Sequence, residues 1–193
     1  MTAAEEKAAL RASMRRLGRS RSAAERRRLG DGMLEQLRRL PAYQQAQCVL
    51  AFYGVGHEID TTGILTDILR EGKRLCLPLC LPEGELALCV VEDLSELVTG
   101  AYGIPAPSET APRLPPQEPD LLLVPCVCAT RTGLRLGQGG GYYDRLLPHT
   151  AAPAFLLCPE DMLVDALPCE AHDLPLPALI SERACYGQPS GRR

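Results

Sequence analysis

The sequence predicts an α/β protein: a three-layer α/β/α sandwich with a mainly parallel central sheet and an N-terminal helical cover. Three observations carry that expectation. Residues 3–19 and 22–39 repeat apolar side chains at three- and four-residue steps, as helices do. Residues 48–81 run strand, loop, helix, strand, the order that lays crossover helices on a parallel sheet. LLLVPCVCA (121–129) is continuously apolar, as a strand covered on both faces must be.

The elements follow in order. Leu10, Met14 and Leu17 mark the first helix; Leu29, Met33, Leu34 and Leu37 mark the second. Ser22 with Glu25 forms a capping box for the second helix, and Pro41 is expected to end it. CVLAFYGV (48–55) has strand content, GHEIDTTG (56–63) is a loop, and Thr61 or Thr62 is positioned to cap a helix over 63–71. Gly72 stops that helix before the strand KRLCLPLCL (73–81). The turn PEG (82–84) sends GELALCVVE back as a hairpin partner. Residues 103–119 hold six prolines and no periodicity, which predicts an ordered crossing loop. After the 121–129 strand come a glycine-rich segment, a short helix near 141–147 stopped by Pro148, and strands at AFLLC (154–158) and LPALISE (176–182). The expected organisation is one domain over 1–183 with a disordered tail at 184–193.

Composition narrows the function classes. Residues 1–39 carry a net charge of +6 and the rest −9, giving −3 overall. A basic arm raises nucleic-acid or membrane contact, but Glu5, Glu6, Glu25, Asp31 and Glu35 interrupt it, and a solvated helix face explains it equally well. The pI near 5.7 lies well below that of nucleic-acid-binding domains. No apolar run reaches the ~18 residues of a membrane span. The nine cysteines include no C-x-x-C pair and mostly sit in apolar runs, so they read as reduced thiols of a cytoplasmic protein.

Residues 135–145, RLGQGGGYYDR, concentrate the chemistry. Glycines after a buried strand let main-chain N–H groups approach an anion, and Arg135 and Arg145 flank them with guanidinium forks. Asp144 supplies an oxygen ligand of the kind Mg²⁺ takes. No Gly-Lys-Ser/Thr follows, and Tyr142 stands where a dinucleotide fingerprint needs a third small residue. Anion binding and a tight structural turn both stay open on physics alone, with the tyrosine pair tilting toward a heterocyclic ligand.

The whole string resembles the signature of the 5-formyltetrahydrofolate cyclo-ligases, also called 5,10-methenyltetrahydrofolate synthetases. Three further segments resemble that family in the right order: Lys7-Ala-Ala-Leu-Arg11, HEIDT (57–61) and PCEAHD (168–173). The resemblance implies an ATP- and Mg²⁺-dependent enzyme that acts on a reduced folate; a monomer without nucleic-acid or membrane partners is the accompanying expectation. It implies that Lys7, Arg11 and Arg135 reach ATP phosphates, with Gly137, Gln138, Gly139, Gly140, Gly141, Tyr142 and Tyr143 around the nucleotide. Val55, Glu58, Tyr142 and Tyr143 would contact the folate, and Asp144 and Asp173 would hold the metal. Arg135, Tyr142 and Arg145 are then the expected catalytic residues. The family's ATP-binding lysine falling at residue 7 leaves little room for a cleavable presequence. Two positions depart from the pattern: Ala129-Thr130 stand where relatives have Phe-Asp, and Met162 aligns with a Gln. Those departures raise one alternative to turnover, a paralogue that binds folate or nucleotide without converting it; the basic segment 1–39 raises another, a non-catalytic nucleotide- or RNA-binding module.

Overall fold

The structure, a computed structural model, describes residues 2–168, 175–176 and 178–187. Two helices open the chain, α1 (Ala3–Ser20) and α2 (Ala23–Arg38). Each has a capping box, Thr2 with Glu5 and Ser22 with Glu25, in which hydroxyl and carboxylate satisfy main-chain N–H groups left open at the helix start. As expected, α2 ends just before Pro41. That proline opens a short helix, α3 (Pro41–Gln45), where a first-turn residue needs no N–H.

The strand expected over 48–55 is shorter. Only β1 (Cys48–Leu50) keeps a ladder, with the Ala51 N–H still donating to the Cys76 carbonyl (2.9 Å). Beyond it the chain is tied to its own return loop, because the Thr61 hydroxyl accepts from the Gly54 N–H (2.9 Å) and donates to the Phe52 carbonyl (2.8 Å). Thr61 therefore sits at the N-cap of α4 (Thr62–Arg70) without capping it; Asp60 accepts from the Thr62 N–H instead (2.9 Å).

Next come β2 (Arg74–Cys80) and its hairpin partner β3 (Leu86–Val91). The proline-rich segment that follows is not wholly irregular. It holds β4 (Val98–Thr99), β5 (Pro105–Ala106), which pairs with β4, and β6 (Arg113–Leu114), which pairs with β3. The expected strand at 121–129 is two pieces, since Pro125 lacks an N–H and ends β7 (Leu121–Pro125). Then β8 (Cys128–Ala129) pairs with β9 (Arg135–Leu136) as a separate hairpin. A short helix α5 (Tyr142–Leu146) leads to β10 (Ala154–Leu157), β11 (Ala178–Ile180) and β12 (Cys185–Tyr186). The last strand lies two residues past the expected boundary at 183, because Leu179 and Ile180 hold it in register.

The large sheet runs β12-β11-β10-β7-β1-β2-β3-β6. Its centre, from β11 to β2, is parallel, and antiparallel strands finish both edges. Alternation sorts the central strands onto two faces. Val49, Leu75, Leu121, Leu123 and Phe155 pack with Met33 and Leu37 of α2 and Ile64 and Leu65 of α4. Leu50, Leu122, Val124, Leu156 and Leu179 pack with Leu146 of α5 and with Leu10 and Met14 of α1. The predicted three layers are therefore present, but the N-terminal cover divides, with α1 on one face and α2 on the other. Both helices press on the 57–60 loop. A Cβ at Gly18 would collide with the His57 carbonyl oxygen, and one at Gly30 with that of Asp60.

Candidate active site

The carboxyl ends of β1, β2 and β7 open into a cavity of about 430 Å³, the place where parallel α/β sheets hold ligands. Its lining combines two chemistries. Lys7 and Arg11 from α1 and Arg135 from β9 supply cations beside the glycine segment 137–141. Phe52, Tyr53, Leu77, Ile104 and Pro125 supply apolar and aromatic surface. Burying Lys7, only 7 % exposed, and the Arg135 side chain, 5 % exposed, concentrates positive charge in a poorly solvated place.

The sequence folds this way locally for identifiable reasons. Gly139 and Gly141 have φ of +100° and +68°, a region that residues with a side chain rarely enter. The segment is pinned from outside. Arg11 Nε donates to the Gly137 carbonyl (2.9 Å), and Arg15 donates to the Gln138 side-chain oxygen (2.6 and 3.0 Å) and main-chain oxygen (3.2 Å). Arg145 Nε donates to the Gly84 carbonyl (2.9 Å), its Nη2 reaches the Gly140 carbonyl, and the guanidinium lies 5.7 Å from the Tyr142 ring centre. Arg135 and Asp144 form an ion pair.

Glu58 projects from the β1–α4 loop into the cavity wall. Its Oε2 accepts from the Val55 N–H (3.1 Å) and its Oε1 from the Gln138 amide (3.1 Å). Burial pushes its pKa up, while the Val55 and Gln138 hydrogen bonds and the Arg15 charge pull it back. His57 beside it is held below the ordinary imidazole range, first by burial and then by Arg15 and Arg19. The Gln138 amide also lies 3.0 Å from His57 Nε2.

Two tyrosines close the glycine segment. The Tyr143 hydroxyl is buried without a hydrogen-bond partner among the described residues, and burial drives its pKa well up. An orphaned hydroxyl facing a cavity is a place for a ligand or a water. Tyr142 is pushed up to about 12, chiefly by a hydrogen bond with Tyr102. Tyr102 is exposed, with φ of +60°, and overhangs the same cavity.

The fold thus brings Lys7, Arg11, Glu58, Arg135, Gly137 to Gly141, Gln138, Tyr142, Tyr143 and Asp144 to one cavity. Two expected residues are not on its wall. Val55 holds Glu58 through its main chain, and Arg145 braces the glycine segment against the 82–84 turn. Asp173 lies outside the described residues, and no group of three His, Cys, Asp or Glu suited to a metal occurs among them. Arg15 and Tyr102 were not anticipated. Arg15 has a sequence signal, since Lys7, Arg11 and Arg15 recur every four residues on one helix face; Tyr102 has none. At the departing positions, Thr130 stitches the β8–β9 turn, accepting from the Leu134 N–H (3.1 Å). Met162 lies off the main cavity, against a small neighbouring void of about 20 Å³.

Comparison with known proteins gives a consistent result. The model of the 5-formyltetrahydrofolate cyclo-ligase family matches residues 3–182. The 5-formyltetrahydrofolate cyclo-ligase of Escherichia coli K12 is 30% identical over 174 residues, covering 87% of this chain and 96% of its own. The mouse (Mus musculus) protein of the same name is 27% identical over 201 residues, covering 94% and 96%. The solution structure of Aquifex aeolicus 5,10-methenyltetrahydrofolate synthetase superposes with a TM-score of 0.84 at 32% identity, covering 97% of this chain and 95% of that one.

Proposed function

The chain belongs to the 5-formyltetrahydrofolate cyclo-ligase family, and from that premise we propose that it converts 5-formyltetrahydrofolate and ATP to 5,10-methenyltetrahydrofolate, ADP and phosphate. The observation that carries the assignment to this cavity is its mixed lining: buried cations and bare main chain share it with apolar and aromatic side chains and the Glu58 carboxylate. That arrangement suits a triphosphate laid against a reduced pteridine.

The chemical difficulty is a formamide oxygen that leaves poorly. Its attack on the γ-phosphorus releases ADP and creates an iminium phosphate. Nitrogen-10 then adds to the activated carbon and loses its proton, and the carbon–oxygen bond breaks as phosphate departs. Phosphoryl transfer asks the protein for position and charge rather than covalent help. Lys7, Arg11 and Arg135 offset charge spreading over the phosphates, while N–H groups of 137–141 hold their oxygens. Glu58 accepts hydrogen bonds from the pteridine edge. Tyr142 and Tyr143 face the formyl group, with the unpartnered Tyr143 hydroxyl available to it. Arg145, expected as catalytic, takes instead the role of bracing the glycine segment.

Mg²⁺ fits the donor chemistry, since it is commonly held by one or two carboxylates together with phosphate oxygens. Asp144, half-buried at the cavity, would be the protein ligand there, with Asp173 its expected companion outside the described residues. Bound there, the ion would screen the polyphosphate charge. The enzyme would act as a monomer, and in the cytoplasm, where its thiols stay reduced. No helix is long and apolar enough to cross a membrane.

The direct test mixes purified protein with 5-formyltetrahydrofolate, ATP and Mg²⁺ and follows methenyl absorbance in the near ultraviolet. ATP-dependent product with matching ADP supports the assignment. Folate and nucleotide binding at micromolar protein without product would leave only a binding role.

A further inference from the structure

We propose that Gln138 is a positioning residue for the folate: its side-chain amide aims and supports the Glu58 carboxylate, tying the phosphate-facing segment to the folate-facing loop. The inference rests on the reading of Glu58 as a folate contact. It differs from the simpler view of Gln138 as one more nucleotide neighbour in a glycine string.

Three elements far apart in sequence meet at this one side chain. Arg15 of α1 donates to its Oε1 at 2.6 and 3.0 Å, which fixes the amide so that its NH₂ points the other way. That NH₂ lies 3.1 Å from Glu58 Oε1 and 3.0 Å from His57 Nε2. The opposite carboxylate oxygen, Oε2, is held by the Val55 N–H at 3.1 Å. Glu58 therefore has one oxygen fixed by its own turn and the other by the glycine segment. With His57 Nε2 as acceptor, both amide hydrogens are used. Each carboxylate oxygen can accept two hydrogen bonds, so Glu58 keeps capacity for a ligand's N–H groups while both oxygens are oriented.

The arrangement has an electrostatic consequence. Burial disfavours the ionised form of Glu58, and the Gln138 hydrogen bond is among the contacts that oppose it. A protonated Glu58 accepts fewer hydrogen bonds, so losing Gln138 harms folate binding first on the acid side. The ionisable groups around Glu58 are Arg15 from α1, His57 in its own loop, Tyr143 from α5 and Cys126 after β7. Lys7, Arg11 and Arg135 line the cavity beyond them.

The test compares Gln138→Leu, Gln138→Glu and Glu58→Gln, alone and combined, by steady-state kinetics between pH 5 and 9, with thermal melting to confirm folding. Gln138→Leu raises the folate KM on the order of tenfold, about the worth of a hydrogen bond to a charged group, and moves the ATP KM and kcat less. The acid limb of kcat/KM for folate shifts to higher pH. Gln138→Glu shifts it further, because a second carboxylate disfavours ionisation of the first. In the Glu58→Gln background, Gln138→Leu adds little. The limb still shifts in a His57→Asn background, where no imidazole titrates. If Glu58→Gln raises the folate KM while Gln138→Leu changes the ATP KM alone and leaves the acid limb in place, Gln138 is only a loop support and the inference fails. If Glu58→Gln leaves the folate KM untouched, the folate contact itself is wrong and the inference falls with it.

Discussion

Two charge clusters, one beneath α2 and α4 and one at the carboxyl ends of the parallel strands, are built on opposite principles. On the α2 and α4 face, Asp67 is 2 % exposed and fully answered: Arg38 and Arg70 (2.9 Å) pair with Oδ1, and the Tyr43 hydroxyl donates to Oδ2 (2.8 Å). At the cavity, Arg135 and Asp144 also pair, but around them a hydroxyl is orphaned, a carboxylate is half-buried and cations line the same wall. The first cluster is complete without a ligand. The second is chemically unfinished, and an unfinished cluster at the carboxyl ends of parallel strands is where function concentrates. Removing a group from the first should cost stability; removing one from the second should cost activity.

The largest effect is expected at Asp144→Asn and Arg135→Ala, each losing on the order of a hundredfold or more in kcat/KM for methenyl formation, as loss of a charge-stabilising group does. Wild-type turnover by Asp144→Asn with Mg²⁺ would erase the metal assignment. Next, Asp67→Ala should lower unfolding stability by about 3 kcal/mol, the usual loss when one partner of a buried pair goes. For a domain of this size that is a fall in Tm of roughly 9 °C, with kcat little changed. Equal losses of activity in both variants would dissolve the distinction between the clusters.

The pH dependence should differ in sign. Burial alone would raise Asp67, yet its hydrogen bonds to Arg38 and Tyr43 hold it below 3.8. Its stabilisation is therefore present above that value and lost as pH falls through the lower folded-state pKa. Glu58 is held above 4.5, so the folded state binds the extra proton and the penalty grows as pH rises from 4.5 through the folded-state pKa. Glu58→Gln should consequently stabilise the ligand-free protein at pH 7 and have little effect at pH 4, seen as a Tm difference that closes on acidification. The smallest effect is expected at Tyr143→Phe. Deleting an unpaired hydroxyl should leave stability unchanged or raise it by about 1 kcal/mol, while weakening substrate binding severalfold. A clear stability loss would reveal a hidden partner for that hydroxyl.

What the sequence made legible was mostly local. The Ser22–Glu25 box, the glycine string and the apolar steps of α2 each declare themselves within a few residues. The unbroken apolar run in 121–124 announced a strand covered twice, although Pro125 ended it early. What stayed hidden depends on distant partners. Asp67 reads as one more charge on a short helix until Tyr43 and Arg38 arrive from other elements. Val55 and Arg145 lie inside or beside recognisable motifs, but a motif does not say whether a side chain faces ligand or props up its neighbour. Nor could spacing show that α1 and α2, joined by two residues, would pack on different faces.

The central claim is that the cavity sets a γ-phosphoryl group against the formyl oxygen. Turnover of 5-formyltetrahydrofolate carrying ¹⁸O in its formyl group, with mass analysis of the released phosphate, tests it most directly. One labelled oxygen in each phosphate is the expected result. Unlabelled phosphate from ongoing turnover, with the formyl oxygen recovered in water, would contradict it.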